Sequence, residues 1–257
     1  MLSDHNTSYG LVKIALLLVT GVSGHLSLSP PNPPVPKTQC LERRTFFERC
    51  VRHVTFCSKM MIWAETICDI LATFAHVYPA YPLSPILSRL LCPFTPPLAL
   101  TKSHPLLLLG TLSVLSGAVI RLACFRALGP LFTFELTITP SHRLVSGGPY
   151  AIVRHPSYTG VFLTLVGASA VGLAPGAWLR ECWLRPCVPY VGVLCVPRVG
   201  ATVAWAALTF WVVKVSYAMW CTLVRLARED EELHRAFGKT WEVYAERVRW
   251  RLVPGVY

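Results

Sequence analysis

Val199–Phe237, VGATVAWAALTFWVVKVSYAMWCTLVRLAREDEELHRAF, contains two chemistries in one uninterrupted stretch. Up to Val224 it is apolar and aromatic, with Lys214 as its one charged residue. About 20 apolar residues cross a bilayer, so this part reads as a span. After Arg225 the chain turns polar at helical spacing, and Gly238 supplies a normal helix stop. One long helix is expected, membrane-embedded first and amphipathic after Arg225. Trp241, Tyr244 and Val248 recur at near-helical spacing and predict a short second helix. Arg251–Tyr257 reads as an irregular end.

Four further apolar runs stand upstream: Gly10–Leu28, Met60–Tyr81, Pro105–Cys124 and Thr159–Trp178. The composition agrees with five spans. Hydrophobic residues are 53% of the 257 and charged residues 14%, against roughly 25% charged in globular domains; mean hydropathy is +0.49. The reading is an all-α, polytopic membrane helical bundle, in preference to a soluble all-α protein with buried helices. The first run has no basic residue before Lys13, whereas a signal peptide has a positive n-region; it is expected to be a retained span. Glu65 and Asp69 interrupt the second run and are expected to face other helices or water. The expected organisation is a divergent, proline-interrupted membrane region over 1–104 and a core over 105–257.

Basic residues orient the chain. Sixteen, from Lys37 through Arg154 to Arg251, fall on one side of the five-span arrangement and five (Arg89, Lys102, Arg180, Arg185, Arg198) on the other. The positive-inside rule places the connector between the third and fourth runs, and the C-terminal tail, in the cytosol. The net charge of +11 is explained by basic loops beside anionic lipid, and no nucleic-acid partner is expected. The ten cysteines form no Cys-x-x-Cys pair and meet no His pair at zinc spacing, so no metal is expected. Most read as small apolar residues, with a disulfide among Cys182, Cys187 and Cys195 the alternative for an oxidising compartment. Asn6-Thr7-Ser8 is a glycosylation sequon, usable if that end is lumenal.

The cytosolic connector is His142–Gly160, HRLVSGGPYAIVRHPSYTG. Irregular backbone at membrane depth is tolerated where protein or water satisfies its amides, so a connector rich in His, Arg, Tyr and Ser reads as a site. Pro156 can open the next helix at its first turn, whose free amides suit an anion. Tyr150 and Tyr158 offer π faces to a cation, and Gly147-Gly148-Pro149 makes a turn that admits close backbone approach. In the tail, Arg225 and Glu229 are four apart on one helical face. Read alone, that pair is a surface ion pair worth a few tenths of a kcal/mol, and a lone His155 is a structural hydrogen-bonder. Together they outline a small-molecule pocket.

Glu135, His142-Arg143-Leu144-Val145, Gly148-Pro149-Tyr150 and Arg154-His155-Pro156-Ser157-Tyr158-Thr159-Gly160 resemble the cofactor motif of the isoprenylcysteine carboxyl methyltransferase family. Arg225-x-x-x-Glu229-Asp230, Phe237-Gly238, Trp241, Tyr244 and Arg251–Tyr257 are similar to its C-terminal block. The resemblance implies S-adenosylmethionine-dependent methylation of a prenylated C-terminal cysteine by a multi-pass endoplasmic reticulum enzyme. It implies that Glu135, His142, Arg143, Leu144, Val145, Tyr150, His155, Pro156, Ser157, Tyr158 and Glu229 line the cofactor site. It further implies that Arg225 holds the substrate carboxylate, with Arg225 and Glu229 as the catalytic pair. One departure is Gly147 where the family commonly has Ser, with Ser146 one residue upstream. Two enzymes remain as alternatives: an NADPH-dependent membrane sterol reductase, with a similar Arg-His-Pro-x-Tyr signature, and a phospholipid N-methyltransferase, to whose cationic nucleophile Arg225 is poorly suited. A non-catalytic scaffold is the third. Prenyl preference, protein substrates and oligomeric state are not legible.

Overall fold

The computed structural model describes residues 2–34, 45–93, 100–101, 104–134, 143–184 and 199–257. Seven α-helices are described: α1 Leu2–Leu28, α2 Phe46–Val77, α3 Ser84–Leu91, α4 Pro105–Leu128, α5 Pro156–Leu173, α6 Val199–Phe237 and α7 Lys239–Arg247. No strand occurs among the described residues, and five helices (α1, α2, α4, α5 and α6) are long and apolar enough to cross a membrane. The protein is an all-α polytopic membrane protein, as expected.

Two helix boundaries differ from the apolar pattern. α2 begins at Phe46, fourteen residues before Met60. The Thr45 amide donates to Glu48 Oε2 (2.7 Å) and the Glu48 amide to Thr45 Oγ1 (3.3 Å), a reciprocal capping box that starts a helix regardless of hydropathy. α5 ends at Leu173, short of Trp178. Pro175 cannot donate into the helix, and Gly176 takes φ +91°, a left-handed turn open to glycine. The α6 stop falls where expected: Gly238 has φ +50° and its amide donates to the His234 carbonyl (2.8 Å).

Contacts divide the chain into two compact units. The first comprises Met1–Gly24, Met60–Leu115 and Leu165–Val213. At its centre Lys13, 1% exposed, donates from Nζ to Asp69 Oδ1 (2.6 Å), the Leu100 carbonyl (3.0 Å) and the Gly176 carbonyl (2.7 Å). An ammonium has three donors and all three are used. This accounts for Asp69, which faces another helix as the sequence requires. Leu17, Leu107, Val171, Ala174 and Ala177 pack as one cluster. Gly110 and Gly167 let α4 and α5 touch: a Cβ on Gly110 would lie 2.8 Å from the Gly167 carbonyl oxygen. Cys92 and Cys182 form a disulfide, so Cys182 pairs with a residue 90 positions upstream. Cys187 and Cys195 lie outside the described residues.

The second unit comprises His25–Lys59, Ser116–Thr164 and Lys214–Tyr257. Here α4 and α5 touch again, a Cβ on Gly117 meeting the Gly160 carbonyl oxygen at 2.6 Å. Phe125, Phe132 and Phe134 form its aromatic cluster. This unit holds the connector, the start of α5, the polar half of α6 and the tail.

Candidate active site

Connector and tail are joined through their backbones. The Arg154 amide donates to the Trp250 carbonyl and the His155 amide to the Arg251 carbonyl, both at 2.9 Å. Thr159 Oγ1 donates to the Leu252 carbonyl (2.8 Å), and the Tyr244 hydroxyl to the Tyr150 carbonyl (2.9 Å). Pro156 opens α5 with its missing N–H in the first turn, where no helical partner exists.

Side chains converge on two carboxylates of α6. Asp230, 7% exposed, takes Arg154 Nη1 on Oδ2 (3.0 Å), Arg251 Nε on the same oxygen (3.1 Å) and His155 Nε2 on Oδ1 (3.0 Å). The other imidazole nitrogen, Nδ1, lies 3.4 Å from Glu229 Oε2. Arg225 Nη2 approaches Glu229 Oε1 at 3.6 Å, and its Nη1 donates to the Phe134 carbonyl at 2.7 Å. His155 stacks on Tyr158, centroids 5.9 Å apart, and the Arg225 guanidinium sits 6.0 Å from the same ring. Burial disfavours charge on His155, but its hydrogen bonds to Asp230 and Glu229 and their charges outweigh burial and raise its pKa above the ordinary 6.5. An imidazolium donates from both nitrogens and so serves both carboxylates. Burial pushes the Tyr150 hydroxyl well above its ordinary 10 and raises Tyr244 to about 12; both stay neutral.

The expected site residues fare unequally. His155, Tyr158, Arg225 and Glu229 form one cluster, and Tyr150 is buried under Tyr244. Ser157 joins through Arg121, whose Nη1 lies 2.6 Å from its hydroxyl. Leu144 and Val145 are half-buried in irregular backbone, while Arg143 is exposed with no hydrogen bond or ion pair among the described residues. Glu135 and His142 lie outside the described residues.

Three contributors had no site role assigned from the sequence: Asp230 and Arg251, both within the C-terminal block, and Arg121. Arg121, 3% exposed, also donates from Nε to the Ser27 carbonyl (2.9 Å) and faces Phe125, Phe132 and Phe134 at 4.8–5.3 Å. A solitary arginine within an apolar run was the signal, because such charges in membranes are functional by default. Beside the cluster, a cavity of about 230 Å³ is lined by Phe46, Phe47, Tyr217, Trp220, Arg225 and Arg228, among others. Arg228 is exposed and has no partner among the described residues.

Residues 108–181, which include the connector, match the isoprenylcysteine carboxyl methyltransferase (ICMT) family. The resemblance read from the connector therefore holds, while the C-terminal block lies beyond the matched range. Among curated proteins, the chain is similar to Delta(14)-sterol reductases. That of Mus musculus is 27% identical over 121 residues, 47% of this chain and 21% of the relative. One from Gibberella zeae is 28% identical over 125 residues (45% and 24%), and that of Neurospora crassa 30% over 137 residues (49% and 25%). The chain thus spans about a quarter of the length of these relatives. No solved structure matches.

Proposed function

We propose that this protein is an S-adenosylmethionine-dependent methyltransferase that esterifies the C-terminal carboxylate of prenylated cysteine in CaaX-processed proteins. The observation that carries the reading is the convergence of His155 and Tyr158 with Arg225 and Glu229, in a chain whose connector lies within the range that matches the ICMT family.

The site's unused groups fit the cofactor's amino-acid end. Arg154 Nε and Trp241 Nε1 are buried without a partner among the described residues, and the Arg154 guanidinium sits 5.8 Å from the Trp241 ring. They are donors for a carboxylate. Asp230 is saturated by three cations, whereas the Glu229 side chain is 21% exposed and can take an ammonium. When bound, the cofactor supplies an electrophilic methyl on a sulfonium. The substrate carboxylate is already ionised at neutral pH, so no residue acts as a general base. The chain's own residues align and desolvate the reactants. Arg225 is held by Phe134 and Glu229, so its guanidinium is a fixed surface. Arg228, exposed on the same cavity, completes the grip on the carboxylate. Too tight a grip would blunt the nucleophile, so both arginines orient rather than activate it.

The topology supports a cytosolic site in the endoplasmic reticulum membrane. Disulfides persist in oxidising compartments. Cys92 and Cys182 are separated by two spans and so share a side, while the connector is one span from each. This favours a connector on the reducing, cytosolic side, in keeping with the distribution of basic residues.

The relatives' names favour a second reading, reduction of a sterol double bond with NADPH. A phospholipid N-methyltransferase is disfavoured because Arg225 and Arg228 repel a cationic amine. Purified protein is given labelled S-adenosylmethionine with N-acetyl-farnesylcysteine, the same cofactor with phosphatidylethanolamine, or NADPH with a Delta(14)-sterol. Methyl transfer to the first alone is the expected result. NADPH consumption with the sterol transfers the assignment to the reductase.

A further inference from the structure

The first unit contains a cavity of about 540 Å³ that plays no part in the proposed chemistry. Its volume falls within the range of pockets that hold small molecules. Its walls are mainly apolar, with Val203, Ala207 and Trp211 of α6 facing residues of α2 and α5. Val203 is 62% exposed and marks a side open to lipid. In these walls stands a carboxyl group, Glu65 of α2, within a membrane span.

The hydroxyls lining the cavity already donate to helix carbonyls. Thr66 Oγ1 donates to the Ile62 carbonyl, Thr20 Oγ1 to the Leu16 carbonyl and Ser169 Oγ to the Leu165 carbonyl. Lys13, the nearest route to neutralising an acid here, spends its donors on Asp69 and two carbonyls. The Glu65 carboxyl takes a backbone hydrogen bond at Leu179, while its Oε1 is buried with no hydrogen-bond partner among the described residues. Opposite it, Gly172 leaves room: a Cβ there would lie 3.7 Å from Oε1. The carboxyl torsion is soft, so a small rotation turns that oxygen towards an occupant.

We propose that this cavity binds an apolar lipid alcohol, one hydroxyl on a long-chain or polycyclic body, with the hydroxyl hydrogen-bonded to Glu65. One unsatisfied oxygen calls for one donor. An ammonium would bring three and a full charge into walls that are mainly apolar, at high cost.

The test uses the purified full-length chain in nanodiscs with tritiated geranylgeraniol and, separately, tritiated cholesterol, which distinguishes a flexible-chain source from a polycyclic one. At least one alcohol is expected to bind saturably. Its methyl ether, which cannot donate, is expected to compete at least about threefold more weakly, the loss set by one hydrogen bond. Ala207→Trp, which fills the cavity, is expected to abolish binding, and Glu65→Leu to lower affinity for the alcohol to that for the ether. The ether comparison needs no variant, so it stands even if a variant fails to fold. Saturable binding of neither alcohol, equal affinity for alcohol and ether, or stronger competition by geranylgeranylamine overturns the proposal. Methyl transfer is assayed separately; its failure leaves this result intact, and the reverse holds.

Discussion

Replacing Asp230 by Asn keeps the side chain's shape and removes its charge. In the native protein that charge faces Arg154 at 3.0 Å, His155 at 3.0 Å and Arg251 at 3.1 Å. Arg154 and His155 are 12% and 6% exposed, so removing their counter-ion leaves buried cations uncompensated; such losses cost about 3–5 kcal/mol. Arg251 is 35% exposed, and its share is discounted for solvent to at most about 1 kcal/mol. With each kcal/mol worth about 2–4 °C in a chain of this size, Asp230→Asn is expected to lower the melting midpoint by roughly 6–20 °C. Thermal denaturation followed by fluorescence size-exclusion in detergent measures it. Glu231→Gln, at a side chain 66% exposed, is the control and should move the midpoint by no more than about 2 °C. Arg154→Met should be strongly non-additive with Asp230→Asn, since both remove one interaction. An Asp230→Asn midpoint within about 2 °C of wild type would refute the view that this carboxylate fastens connector to tail.

Because folding raises the His155 pKa, its ion pairs stabilise fully below pH 6.5 and are lost as pH rises through the higher native value. The midpoint should therefore fall with rising pH above 6.5, and His155→Gln should flatten that slope. Cys182→Ser opens a cross-link between positions 90 apart; chain entropy sets a loss of about 4–5 kcal/mol, read as a lower midpoint that reductant reproduces in wild type alone. Gly117→Leu forces side chain against the Gly160 carbonyl and should cost at least about 1–3 kcal/mol, seen as poor recovery of monodisperse protein. If the proposed roles hold, Arg225→Ala abolishes transfer to a prenylcysteine with cofactor affinity largely kept, while Tyr150→Ala and His155→Ala weaken cofactor binding. Equal cofactor affinity in all three variants refutes that division.

Much was legible locally. The five apolar runs, the continuation of α6 past Arg225, its stop at Gly238 and the short α7 follow from hydropathy, 3.6-residue periodicity and glycine's freedom at positive φ. The capping box that carries α2 back to Phe46 was also written in Thr45-Phe46-Phe47-Glu48, but hydropathy masks it because α2 starts in a polar stretch. The connector and tail announced a site because their polar residues serve no apolar packing.

The pairing of those residues was decided by the tertiary structure. Nothing in the spacing of Asp230 says that it, rather than Glu229, takes Arg154 and Arg251, leaving Glu229 to Arg225. Nor does it say that Cys182 reaches back to Cys92, that Lys13 spends its three donors on Asp69 and two carbonyls, or that Arg121 reaches Ser157. Periodicity and caps act over one or two helical turns, so a single chain carries them. Which buried charge meets which depends on a few ångströms between helices distant in sequence, and only packing sets that distance.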